Sequence, residues 1–234
     1  MRVIKPSFEI KRNLSGEEIL KNIERAGRIC YKSEDLITSD SAKKFVKGLL
    51  NRGHEAMIEH AFATVIIVCD RGVSHEIVRH RVASYAQEST RYCNYGKEKH
   101  DQELKFIDIG PVIDSKIGTT VKDSNGENVL VTGDLAASWI ISWLDSIADS
   151  EIAYMNMVNS GCPAELARSV LPNSIKTEIV VTMNLREWRH FFKLRAIGTT
   201  GKPHPQMVEI AKPLLREMAE YIPVVFDDLI ELIS

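Results

Sequence analysis

The 234-residue sequence contains no long apolar run. No segment approaches the roughly 18 consecutive apolar residues that a membrane-spanning helix needs. The first residues, MRVIKPSFEI, also lack the apolar core of a secretory signal. Both absences favour a cytoplasmic protein with no membrane partner.

Cysteine is scarce and shows no pairing pattern. The four cysteines, Cys30, Cys69, Cys93 and Cys162, form neither a C-x-x-C pair nor the spacing of a disulfide framework. Such usage is typical of reduced thiols, so we expect no disulfides. A chain of this length buries roughly 70% of the surface that its unfolded form exposes, and it needs no cross-links to fold.

Two phosphate-binding motifs are missing. No G-x-G-x-x-G is present, so a dinucleotide would have to bind without a Rossmann domain. The segment GTTGK, residues 198–202, resembles a phosphate-binding loop, but Ala196 and Pro203 stand where that motif requires Gly and Ser or Thr.

A zinc site is also not indicated. His54 and His75 each precede a glutamate, as in the zinc-protease helix H-E-x-x-H, but the next histidines are His60 and His80, six and five residues on. Five residues turn a helix by about 500°, which leaves the two rings roughly 140° apart. We therefore expect no metal.

Neither sign of charge dominates, with 30 basic and 32 acidic residues and a net charge of −2. This balance argues against a broad nucleic-acid-binding surface, so any anion site must be local. Between Arg71 and Arg91, four arginines stand against only Glu76 and Glu88. Arginine offers a planar fork of donors that suits phosphate. The stretch is a candidate phosphate site, and an exposed arginine face that pairs with surface carboxylates is the alternative.

Hydrophobic periodicity predicts an α+β fold, a single domain over residues 1–234 with helices packed around a modest antiparallel or mixed sheet. A helix from Gly72 should carry Glu76, Arg79 and His80 and unwind near Ser84. A turn signal at DSNG, residues 123–126, predicts a hairpin, and we expect residues 110–133 to be strand-turn-strand. The other expected helices cover 15–28, 39–53, 134–159, 163–171, 185–195 and 205–221, and the expected strands cover 3–10, 61–69 and 175–184.

Several blocks of the sequence resemble, in order, the signature segments of the flavin-dependent thymidylate synthases. RHRVASYAQESTRY, residues 79–92, is similar to the family's R-H-R-x-x-S followed by a spacer and S-x-R. The upstream GHEAMIEH, residues 53–60, resembles the family's G-H-x-x-x-x-E-H. The remaining blocks are ARSVLP (167–172), TMNLR (182–186), FKLR (192–195) and HPQ (204–206). The resemblance covers residues 20–220.

This resemblance implies the reductive methylation of dUMP to dTMP without a cysteine nucleophile. It implies bound FAD, with NADPH and methylenetetrahydrofolate as co-substrates. It also implies homotetramers whose active sites combine more than one subunit. From the charge balance described above we expect no nucleic-acid partner.

Site residues follow from the same resemblance. Arg195 is the implied catalytic residue, because a guanidinium against the uracil ring would stabilise negative charge there. The implied dUMP-binding residues are Glu76, Arg79, Gln87, Glu88, Ser89, Thr90, Arg91, Arg168 and Arg195. The implied FAD-binding residues are His54, Glu59, Arg79, His80, Arg81, Asn184, Arg186, His190 and His204.

The sequence departs from the family pattern in two places. Many members have Asn-Glu where this chain has Ala86-Gln87, and residues 197–203 form a longer connection than usual. The first departure leaves open a catalytically impaired flavoprotein homologue. The other alternative is a module that stacks single-stranded nucleic acid on Tyr85, Tyr92 and Tyr95.

Overall fold

Within residues 1–233, which the computed structural model describes, the chain forms eight β-strands and nine α-helices. It divides into two compact units. The first unit comprises Met1–Pro6, Cys69–Ser74 and Gln87–Thr177. The second comprises Ser7–Val68, His75–Ala86 and the chain from Glu178 onward. The predicted α+β class with a mixed set of strand pairings is confirmed.

The largest sheet has four strands, in the order β2 (Ser7–Lys11), β3 (Phe62–Asp70), β8 (Lys176–Asn184) and β4 (Ala83–Gln87). Strand β2 runs antiparallel to β3, with Ser7 opposite Val68. The Thr64 and Thr182 hydroxyls, 2.9 Å apart, link β3 to β8. The predicted central strand at 61–69 is confirmed as β3.

The first unit contains β1 (Arg2–Ile4), which pairs in parallel with β5 (Lys105–Ile107). The first predicted strand, 3–10, is therefore two strands, interrupted at Pro6, which has no N–H to donate. The long helix α5 (Gly133–Asn159) is present as predicted, and α6 (Ala164–Ala167) follows it.

The predicted hairpin is confirmed as β6 (Thr120–Lys122) paired with β7 (Asn128–Leu130). Its turn is held by Asp123, whose carboxylate accepts hydrogen bonds from the backbone N–H groups of Asn125 and Glu127. The strand-turn-strand prediction for 110–133 is wrong at its start, where α4 (Gly110–Asp114) forms with proline in its first turn. Proline is well tolerated there because that N–H would have no helical partner.

The second unit is mainly helical. The predicted capping box at Ser15 is confirmed, since its hydroxyl accepts from Glu18 N and Glu18 accepts from Ser15 N. The helices are α1 (Gly16–Ile29), α2 (Ser41–Asn51), α7 (Leu185–Phe192), α8 (Pro205–Tyr221) and α9 (Asp227–Ile230). The core of this unit includes the packed rings of Trp188, Phe191, Phe192 and Phe226.

The prediction of a helix from Gly72 to Ser84 is wrong for the second half of that segment. Helix α3 covers only Arg71–Ile77, and β4 begins at Ala83. The Tyr85 hydroxyl lies 2.9 Å from the carbonyl oxygen of Ile77 and 2.5 Å from that of His80. The Tyr85 hydroxyl, from β4, therefore donates to backbone carbonyls that would accept from backbone N–H groups if the helix continued.

The helix predicted over 185–195 also ends early. Helix α7 stops at Phe192, and Lys193–Ile197 form a π-helical turn that carries Arg195. Gly198 then takes a φ of +85°, and a Cβ built there would lie 2.8 Å from Gly201 O. A side chain is excluded at this position by both the backbone conformation and the space.

Arg189 joins α7 to the C-terminal helix α9. It is 4% exposed, donates to both Asp228 carboxylate oxygens at 2.6 and 2.7 Å, and donates to Val225 O. Its Nε donates to Glu55 at 3.2 Å. A buried guanidinium with all of these partners fixes the end of the chain against α7.

Asp228→Ala should lower the free energy of unfolding by roughly 1–3 kcal/mol, because Arg189 stays buried without its bidentate partner. Urea unfolding would measure the change. Glu231→Ala removes an exposed carboxylate from the same segment and should stay within about 0.5 kcal/mol of the parent. Equal losses in the two variants would show that the Arg189–Asp228 ion pair makes no specific contribution to the free energy of unfolding.

Candidate functional site

The centre of the site in the second unit is His80, which is 4% exposed. It lies in the turn between α3 and β4. Arg195 Nε is 3.3 Å from His80 Nε2, and Glu187 Oε1 is 3.2 Å from His80 Nδ1. A guanidinium can only donate, so Nε2 must accept, and the imidazole proton is on Nδ1, where it is donated to Glu187.

The environment keeps His80 neutral. Burial lowers its pKa to about 4, and the positive charges of Arg195 and His190 act in the same direction. Burial also raises the pKa of the Glu187 carboxyl, which the positive charge of His190 partly offsets. His80 therefore acts as a neutral hydrogen-bond relay between a guanidinium and a carboxyl group.

The predicted catalytic residue Arg195 makes three hydrogen bonds, to two residues. In addition to His80, its NH1 donates to Glu76 Oε2 at 2.7 Å and its NH2 donates to the Glu76 carbonyl at 3.2 Å. Its side chain remains 20% exposed. The π-helical turn of Lys193–Ile197 sets the direction of this side chain, and such turns occur frequently at functional sites.

A cavity of about 490 Å³ lies along α7 and is called the α7 cavity here. It brings together Glu59, Asn184, Arg186 and His190, four of the residues expected to bind FAD. Arg186 pairs with Glu59 at 2.5 Å. The lining residues are Glu55, Glu59, Val82, Asn184, Arg186, Glu187, His190 and Lys193.

The donors and acceptors of the α7 cavity fit a flavin dinucleotide. The cations available for a pyrophosphate are Lys193, which is 3.8 Å from Glu55, and Arg186, which would have to exchange its Glu59 partner for the phosphate. Glu59, once released, can accept from sugar hydroxyls. Asn184 uses its side-chain oxygen to cap α7 at Glu187 N, 2.8 Å away, which leaves its amide donors for a ligand.

The other expected FAD residues are more dispersed. His54 lines a second cavity of about 290 Å³ that shares Glu55 and Arg186 with the first. Arg79 and Arg81 are exposed, and neither guanidinium has a carboxylate partner among the described residues. His204 is exposed at the start of α8 and lines neither cavity.

His80, Glu187 and His190 form a group that sequence spacing did not predict. One ligand atom from each lies within 4.8 Å of the others, close enough to consider a metal ion. A metal would need a free lone pair on His80, but Nδ1 carries the proton that faces Glu187 and Nε2 accepts from Arg195. The arrangement therefore suits a hydrogen-bonded relay better than a metal site.

In the first unit, four predicted phosphate-binding residues come together, and we call them the phosphate cluster: Ser89, Thr90, Arg91 and Arg168. Thr90 is buried, and its hydroxyl lies 3.4 Å from Arg168 NH1. Ser89 Oγ accepts from Arg91 N at 3.3 Å. Neither guanidinium has a carboxylate partner within residues 1–233, so both keep their charge available for an anion.

Gln87 and Glu88 have other partners. Gln87 Nε2 donates to Ser74 Oγ at 2.9 Å and to Thr177 Oγ1 at 3.1 Å. Glu88 pairs with Lys176 at 2.9 Å and accepts from the Tyr95 hydroxyl, also at 2.9 Å. These contacts hold Glu88 within its own unit, and a role at the nucleotide would require it to leave Lys176.

Two residues that the sequence did not predict are Glu187, on α7, and Lys193, in the π-helical turn after it. Glu187 and Lys193 line the α7 cavity together with the predicted His190. Each lies three residues from His190 along the chain and so neighbours it on the helix surface, and this was the signal available.

No helix among residues 1–233 is both long and apolar enough to span a membrane.

Comparison with known proteins agrees with the motifs. The model of the family described as thymidylate synthase complementing protein matches residues 15–224. A protein from Pyrococcus furiosus named flavin-dependent thymidylate synthase is 33% identical over 86% of this chain and 75% of its own length. One of the same name from Corynebacterium aurimucosum is 33% identical over 94% of this chain and 83% of its own.

The fold agrees with a solved structure as well. The UMP/dUMP methylase PolB from Streptomyces cacaoi, bound with 5-Br dUMP, superposes with a TM-score of 0.78 at 21% identity, covering 99% of this chain and 98% of that one. With a family match across most of the sequence and relatives above 30% identity, this chain belongs to the thymidylate synthase complementing protein family, the flavin-dependent thymidylate synthases.

Proposed function

We propose that this protein converts dUMP to dTMP, taking the methylene group from methylenetetrahydrofolate and the electrons from NADPH through FAD. Tetrahydrofolate and NADP⁺ leave with dTMP. The observation that carries the proposal is the fixed guanidinium of Arg195, held by His80 and Glu76 beside the α7 cavity in a chain of this family.

The α7 cavity would hold FAD. When bound, FAD supplies the passage of electrons from NADPH to the transferred carbon. Arg186 and Lys193 would bind its phosphates, and Asn184, Glu59 and His190 would contact its polar groups. The remaining expected FAD contacts are His54, Arg79, His80, Arg81 and His204.

The phosphate cluster would bind the nucleotide 5′-phosphate. Within residues 1–233 its two guanidinium groups pair with no carboxylate, and the Ser89 and Thr90 hydroxyls add neutral donors. Gln87, Glu88, Glu76 and Arg79 are the other proposed dUMP contacts.

Arg195 would act at the uracil ring. Attack of the pyrimidine C5 on a methylene donor requires negative charge on the ring, and a preorganised guanidinium stabilises that charge without giving up a proton. For this to happen, the uracil must replace the Glu76 carboxylate on Arg195 NH1.

The assembled enzyme would be a cytoplasmic homotetramer, with active sites that combine residues of more than one subunit. This part of the proposal comes from the family resemblance.

A second candidate is methylation of UMP, because PolB, which has the same fold, is a UMP/dUMP methylase. The alternative of a module that stacks single-stranded nucleic acid loses support. Tyr95 is buried and the Tyr85 hydroxyl is engaged. The third ring, Tyr92, is 75% exposed, but the Arg91 guanidinium lies over it, 5.3 Å from the ring centroid.

Absorbance spectroscopy tests the cofactor and the substrate together. The purified protein should show a flavin spectrum that NADPH bleaches anaerobically, faster with dUMP than without. Product analysis with dUMP and UMP would then separate the two methylation candidates. A colourless protein that takes up no added FAD would refute the proposed function, and a flavoprotein that bleaches but makes neither product would be the impaired homologue.

Arg195→Ala should lower the rate of dTMP formation by roughly 10²–10³-fold while FAD remains bound, as expected for loss of a preorganised charge-stabilising donor. Turnover and flavin content would be measured on the same preparation. The matched control is Arg216→Ala, which removes an exposed arginine on α8. Unchanged turnover in Arg195→Ala would show that Arg195 does not act at the uracil ring.

Arg168→Ala should weaken dUMP binding by roughly tenfold, as expected for loss of a charged hydrogen bond, and leave deoxyuridine binding unchanged. Competition binding with both ligands isolates the phosphate contribution. An equal loss for dUMP and deoxyuridine would place Arg168 elsewhere on the nucleotide.

Ser89→Ala should weaken dUMP binding less and leave measurable activity, because the proposed chemistry uses no serine nucleophile. Complete loss of activity with intact dUMP binding would instead support a covalent role for Ser89.

A further inference from the structure

We propose that Glu187 is a positioning residue that selects the tautomer of His80 and thereby orients Arg195. This inference rests on the proposed function, which places Arg195 at the uracil ring. Glu187 lies outside the sequence blocks that resemble the family. It is the residue immediately after the block TMNLR, residues 182–186.

The backbone of Glu187 is held in place independently of the contact with His80. It lies in the first turn of α7, where its backbone N–H donates to the capping oxygen of Asn184 at 2.8 Å. Its carboxyl group is largely buried, 13% exposed, and faces His80 Nδ1 at 3.2 Å. A short, capped helix therefore presents the acceptor from a rigid element.

The tautomer of His80 matters because only one form is compatible with Arg195. With the proton on Nδ1, Nε2 has a lone pair for the Arg195 Nε–H. With the proton on Nε2, two donors would face each other and the contact would be lost. Glu187 accepts from Nδ1 and therefore favours the compatible form.

The other neighbours of His80 do not replace this acceptor. The His190 ring centroid is 5.6 Å away in an edge arrangement, and that of Phe191 is 5.0 Å away. Among the described residues, Glu187 is the carboxyl group that His80 Nδ1 contacts.

A neutral relay has an advantage over a direct carboxylate at Arg195 Nε. His80 fixes the orientation of the guanidinium without neutralising its charge. The carboxylate that does pair with Arg195 is Glu76, on the NH1 side, where it accepts at 2.7 Å. A substrate can therefore exchange with Glu76 while His80 continues to hold Nε.

Two variants of one residue test the proposal. Glu187→Gln keeps an oxygen that can accept from Nδ1–H, whereas Glu187→Leu removes the acceptor at similar volume. The ¹⁵N chemical shifts of His80 in histidine-labelled protein report the tautomer directly and independently of turnover. We expect the Nδ1–H form in the parent and in Glu187→Gln, and its loss or a mixture of forms in Glu187→Leu.

The kinetic expectation follows from the role of Arg195. Glu187→Leu should lower kcat for dTMP formation by about tenfold, with less than about a twofold change in KM for dUMP, because an orienting hydrogen bond to a charged donor is lost. Glu187→Gln should restore kcat to within about twofold of the parent. Flavin content and circular dichroism would confirm that both variants fold.

Two outcomes would overturn the inference. One is an unchanged His80 tautomer or unchanged kcat in folded Glu187→Leu, and the other is an equal loss of kcat in both variants. Failure of the proposed function is a separate result, since the parent itself would then form no dTMP while the ¹⁵N spectra would still test the selection of the His80 tautomer by Glu187.

Discussion

The hydrogen bond from Arg195 Nε to His80 Nε2 is the constraint on which the site in the second unit depends. Because a guanidinium only donates, this contact requires the imidazole proton to be on Nδ1, where Glu187 provides the acceptor. Burial, which lowers the pKa of His80, keeps the ring neutral and available as an acceptor. One contact between two motif residues therefore determines the roles of their neighbours.

Helix α7 combines a structural and a functional face. Trp188, Phe191 and Phe192 are buried in the core of the second unit, whereas Arg186 and His190 line the α7 cavity. The apolar contacts hold the helix in place and so set where its polar side chains enter the cavity. The buried Arg189 extends this arrangement to the end of the chain through Asp228.

Much of the fold follows from local chemistry in the sequence. The capping box at Ser15 and the turn at Asp123 could be predicted because their partners lie within four residues. The end of α3 at Ile77 could not, since it depends on the hydroxyl of Tyr85 arriving from a neighbouring strand. The motif residues of the α7 cavity were predicted by resemblance, but Glu187 was not, because its partner His80 is 107 residues away.

The π-helical turn at Lys193–Ile197 has a consequence for how the chain can be altered. Such a turn holds one residue more than an α-helix would, and each residue of an α-helix advances by about 100° around the axis. Deleting one residue here would restore regular helical geometry and rotate the Arg195 side chain away from His80. The direction of the side chains along this segment is thus set by chain length as well as by residue identity. An insertion or deletion between Phe192 and Arg195 would turn Arg195 away from His80 without changing either residue.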